Sequence, residues 1–117
     1  MSLQRTRLTE VVAAPDTIGS VYANPASTTT FVRGLMITNV DGSIRTLRVD
    51  WVPDSGGSLG TAADATTIFP ELTLAAFETL IIDLPYALVM KDENESIQMV
   101  ADLADKVNVI LFGDIDA

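Results

Sequence analysis

The sequence contains neither cysteine nor histidine. The first absence removes disulfides, thiol nucleophiles and thiolate metal sites, and the two together exclude Ser-His and Cys-His nucleophilic systems and the usual zinc ligand sets. Basic residues are scarce: seven Lys plus Arg stand against sixteen Asp plus Glu, a net charge of −9. A body of that sign repels a phosphate backbone, so no nucleic-acid partner is expected and protein partners are. Aromatics make up 6% of the chain, with one Trp and two Tyr, which is thin material for a sugar-binding cleft. Long apolar runs are missing too. The longest are about four residues, such as Val109, Ile110, Leu111 and Phe112, so neither a membrane-spanning segment nor an export signal is expected.

What remains is 117 residues with 48% hydrophobic content, enough for one core without staples. The apolar residues come in short β-branched and aromatic runs separated by Gly, Pro, Asn and Asp clusters, and no amphipathic helix of useful length is visible. The expected fold is therefore all-β, a single domain over residues 1–117 built as a small β-sandwich or jelly roll of about eight mostly antiparallel strands.

Residues 30–53 carry the clearest local signal. Two long runs flank Asp41-Gly42, and Pro53 ends the second, which predicts a hairpin. A three-residue loop with Gly42 in the left-handed region would place Phe31 opposite Trp51 and Leu35 opposite Leu47, gathering the apolar side chains on one face and leaving Arg33 discordant on it. Before this hairpin, residues 1–15 read as an extended N-terminal arm or edge strand bearing Arg5 and Arg7, and residues 18–23 as a short strand. After it, residues 54–66 are small, polar and Gly-rich and read as a flexible loop. Strands are then expected at 68–70, 72–74, 79–84, 86–90, 96–103 and 107–115, with Pro85 dividing the third from the fourth. The last strand is apolar on both alternations. Val109 and Leu111 serve one face, while Ile110 and Phe112 leave a second apolar strip that needs cover from the arm or from a neighbouring subunit.

Candidate chemistry is thin. Asp50, Glu78 and Asp83 are the carboxylates placed for acid/base work, and alternation assigns them to a solvated strand face. Asp92, Asn94 and Ser96 copy the opening spacing of a calcium loop, but Ile97 stands where its glycine belongs and Leu103 where its bidentate Glu belongs. No enzyme, cofactor or metal is expected.

Several short stretches, taken in order, resemble a β-domain that recurs in virion proteins of tailed bacteriophages and prophages. They are Val21-Tyr22 with Pro25-Ala26 and residues 28–30, residues 35–39, residues 72–76 with Glu78, Thr79 and Leu80, then Asp83-Leu84-Pro85, and Glu95-Ser96-Ile97. The likeness spans residues 20–112; Asn94-Glu95 replaces the Gly-Asp often found before the strand at Ser96. The resemblance implies a non-enzymatic virion structural protein, first of all a capsid decoration or cement protein. It would be made in the host cytoplasm, oligomerise (a trimer, from the threefold positions such proteins occupy) and contact the major capsid protein. A neck, tail or fibre adaptor, or a carbohydrate-binding sandwich, are the alternatives. The interaction residues expected are Arg5 and Arg7 on the arm and Ile110 and Phe112 on the last strand.

Overall fold

The structure, a computed structural model, describes residues 3–116, with side chains from residue 6 onward. Its strands are β1 Leu3–Arg7, β2 Val12–Ala13, β3 Gly19–Ala23, β4 Thr29–Asn39, β5 Arg45–Val52, β6 Thr67–Leu74, β7 Thr79–Met90, β8 Ser96–Ala101 and β9 Val107–Asp116. One 3-10 turn, Asp64–Thr66, precedes β6. Two antiparallel sheets result, one ordered β1-β9-β4-β7 with β2 also on β9, the other β3-β8-β5-β6. The chain is an all-β sandwich.

The pairings nest. β5 pairs with β6, β4 with β7, β3 with β8, and β1 and β2 with β9, all antiparallel. That is one long ribbon doubled back at residues 53–66 and rolled up, with β4 on β9 and β5 on β8 closing the two layers, the strand order of a jelly roll. Alternation then sends Val32, Leu35 and Ile37 of β4, Leu47 and Val49 of β5, Ile97 and Met99 of β8 and Val109 and Leu111 of β9 into one buried cluster between the sheets. Each such side chain contributes about 1.5–3 kcal/mol.

The expected hairpin over residues 30–53 does not form. β4 and β5 belong to different sheets and face each other across the core. Alternation dictates which side chains share a face; here the two apolar faces meet by stacking between layers rather than by lying side by side. The link between them is a corner fixed by Asn39, whose Nδ2 donates to the carbonyls of Ser43 (2.8 Å), Leu74 (3.3 Å) and Ala75 (2.9 Å) while its Oδ1 accepts the Asp41 N–H. No bulged turn forms there, and the positive-φ glycines among the described residues are Gly56 and Gly57, not Gly42. Trp51 does pack against the core, but its neighbour on β8 is Ile97 and not Phe31.

Arg33 is corrected as well. A register shift between Val32 and Gly34 makes it the extra residue of a bulge, which turns it out of the core to pair with Asp114. Opposite that bulge β7 extrudes residues 84–87, because Asp83 pairs with Gly34 but Leu88 already pairs with Val32. The two strands expected on either side of Pro85 are therefore one. β7 lies at a sheet edge, where the missing proline N–H breaks no ladder, and Pro70 sits on β6, an edge strand of the other sheet, for the same reason.

The N-terminal residues run along β9 rather than over it. Leu3–Arg7 pair with β9, the Leu8 N–H donates to the Leu111 carbonyl at 2.7 Å, and Val12–Ala13 rejoin β9 further along. Residues 54–66 fold back on the outer face of the four-stranded sheet. Gln98 Nε2 donates to the Gly60 carbonyl at 3.0 Å, and Asn94 Nδ2 to the Gly57 carbonyl at 2.8 Å.

Candidate functional site

Cross-strand partners share a face, so the registers map the outer surface of the five-stranded sheet. Ile81 of β7, Met36 of β4 and Ile110 of β9 form one row. The next row runs Asp83, Gly34, Phe112 and Arg7, from β7 to β1. Of these, Ile81 is 67% exposed and Phe112 37%, while Met36 and Ile110 are half-buried by their neighbours. The surface is an apolar strip on the side of the sheet where a small sandwich normally carries polar residues. Because the N-terminal residues extend the sheet instead of crossing it, no described segment of the chain covers this strip.

Gly34 leaves an open hollow of about 280 Å³ in that strip, bordered by Arg33, Ile81, Asp83 and Phe112. A Cβ there would stand 3.2 Å from the Ile82 carbonyl oxygen, so the backbone approaches closely at this point. Arg33, half exposed, crosses beside the hollow to the buried carboxylate of Asp114. Arg7 is exposed and meets Glu10 at 3.0 Å, three residues on. Asp83 has no ion-pair partner among the described residues.

Three of the four expected interaction residues thus share this face: Arg7, Ile110 and Phe112. The fourth, Arg5, lies on β1 with its backbone opposite Asp114, but its side chain is outside the described residues. Sequence reasoning missed Ile81, Gly34 and the outward turn of Arg33. The signal for Ile81 was present, since Ile81 and Ile82 repeat the doubly apolar alternation that marks β9. Nothing in the sequence announces the hollow.

The other polar clusters are structural. Asp50, expected on a solvated face, is fully buried and accepts from Arg48 Nε (2.8 Å), Arg48 Nη2 (3.0 Å) and Thr66 Oγ1 (2.9 Å) beneath the 54–66 segment. Hydrogen bonding to Asp50 raises the Arg48 pKa above its ordinary value. At the 40–44 corner the Arg45 guanidinium bonds Asp41 and lowers its carboxyl pKa, while Asp41 raises that of Arg45. Glu78 accepts the Ala75 N–H at 2.8 Å. The calcium-like corner is a self-bonded turn: Glu95 accepts the N–H groups of Lys91 and Asp92, and Asn94 takes a positive φ. Among the described residues no three Asp or Glu converge in a way that could hold a metal ion, and no helix is long and apolar enough to cross a membrane.

Comparison with known proteins gives no relative: no family model matches the chain, no curated protein matches it, and no solved structure matches it.

Proposed function

We propose that the chain is a non-enzymatic structural protein of a tailed-bacteriophage particle, a capsid decoration or cement protein whose copies associate with one another and with neighbouring particle subunits such as the major capsid protein. The observation that carries the reading is the uncovered apolar strip through Ile81, Met36, Ile110 and Phe112. A strip of this kind on a domain with an intact core of its own suits a protein that works by being covered. The short stretches similar to virion β-domains supply the setting. Jelly rolls serve in viral capsids and in lectins alike, so the fold by itself selects neither.

Cryo-electron microscopy of particles assembled with and without the chain tests this reading. The expected result is density for the sandwich on the capsid surface, present only when the chain is supplied. Density at the neck, tail or fibre would transfer the protein to the adaptor class, and absence from purified particles would end the virion reading. The carbohydrate reading draws on one observation, the Tyr86 ring, 88% exposed on the extruded segment of β7. Glycan-array binding that Tyr86→Ala abolishes would favour it.

A further inference from the structure

The outer face of the five-stranded sheet is complementary to itself. Its central row reads, from β7 to β1, an acid (Asp83), a gap (Gly34), a ring (Phe112) and a base (Arg7). A two-fold axis in the plane of the face, parallel to the strands and between β4 and β9, reverses that order in the second copy. Acid then meets base at both flanks, and at the centre each ring meets the other copy's gap. We infer that two copies of this chain pack face to face through this surface, with Phe112 of each entering the hollow over Gly34 of the other and Asp83 of each pairing with Arg7 of the other.

The remaining chemistry of the face agrees. The hollow measures about 280 Å³, and an apolar cavity of about 150 Å³ already holds a benzene ring. The same axis lays the Ile81, Met36 and Ile110 row of one copy against that of the other, apolar on apolar. Arg33 brings no uncompensated charge to the centre because Asp114 lies beneath it. Among the described residues Arg7 pairs with exposed Glu10 alone, a contact that is easily shared, and Asp83 has no ion-pair partner. Aligned packing of two sheets is a standard arrangement, and an isologous contact of this kind closes at two copies. A ring of three would use none of these matches. Strand spacing and rise give a footprint of about 450 Å² per copy, which places the pair among weak, micromolar associations.

This inference rests only on the self-association part of the proposed function, so a particle that lacks the protein would leave it standing. Sedimentation velocity on the purified chain from about 1 to about 200 µM tests it, a range chosen to bracket a weak interface. A reversible monomer-dimer equilibrium is expected, together with Phe112→Ala monomeric throughout at an unchanged circular-dichroism spectrum. Asp83→Arg and Arg7→Asp, both at exposed positions, should each weaken the dimer about tenfold or more, since each plants two like-charge contacts. The two changes in one chain should recover the wild-type constant to within about threefold. A monomer at every concentration would overturn the inference and leave the face to a different protein. A three-copy mass, or a double variant no tighter than its singles, would overturn it equally.

Discussion

The two sheets share one core and differ on their outer faces. On the four-stranded sheet, Asp50, Val52, Ser96 and Gln98 point outward and are nonetheless buried, because the tip of the ribbon folds back over them. On the five-stranded sheet, Ile81, Met36, Ile110 and Phe112 point outward with no described segment above them. The polar face is roofed and the apolar face is bare, the reverse of what solvation alone favours. The roof follows from hydrogen bonding: an acid and an amide that each reach a partner in the returning segment, Asp50 to Thr66 and Gln98 to Gly60, hold it down. On the bare face the charged groups Arg33 and Arg7 find their partners, Asp114 and Glu10, without drawing any segment over the apolar side chains.

The contrast can be broken most severely at Asp50. Asp50→Ala strips Arg48 and Thr66 of a buried acceptor, and a loss of about 2–4 kcal/mol is expected in urea unfolding. Gly60→Ala should come next. A Cβ there would lie 2.1 Å from the Pro53 carbonyl oxygen, so the roof must lift, at about 1–3 kcal/mol and with faster proteolysis within residues 54–66. On the bare face the same measurement should barely move. Ile81→Asp should change stability by less than about 1 kcal/mol, because that side chain gives up little buried area, while self-association disappears in sedimentation. An Ile81→Asp variant as unstable as Asp50→Ala would mean that the two faces are not different in kind.

The smallest effect belongs to Asp41. Its folded pKa lies below the ordinary 3.8, chiefly through the hydrogen bond from Arg45. A depressed carboxylate contributes stability that is complete above the unfolded value and is lost as pH falls through the folded one. Thermal melts from pH 6 down to about 2 should therefore show a slightly smaller acid loss in Asp41→Asn than in the parent. Equal losses would show that the corner does not need this ion pair.

The sequence shows which residues are apolar and with what period, and those features carried the all-β class, the sandwich and the second apolar alternation of β9. It does not show which strand lies beside which. Asp41-Gly42 reads as a hairpin turn because the pair favours tight reversal, yet the same residues, with Asn39 satisfying three carbonyls, make a corner between layers. The true reversal is the Gly-rich segment 53–66, whose anchors are the carbonyls of Gly57 and Gly60, and backbone acceptors leave no mark in composition. Arg33 seemed to spoil an inner face only because a bulge, invisible to alternation, moves it outside.

Nested pairing also sets an order of events. Once β5 and β6 have met at the tip, only short corners separate β4 from β7, so each later closure costs far less chain entropy than its distance along the sequence suggests. Zipping then proceeds outward and ends with β9, which must enter between β4 and the N-terminal strands. Until it does, β4 offers an open edge to any strand nearby, and a chain halted near residue 106 on the ribosome would be prone to aggregate through it. Ile110 and Phe112 arrive only with that closing strand. A half-zipped chain can therefore stick to others by its edge but lacks the completed face, and the face-to-face docking proposed above would be confined to copies that have finished folding.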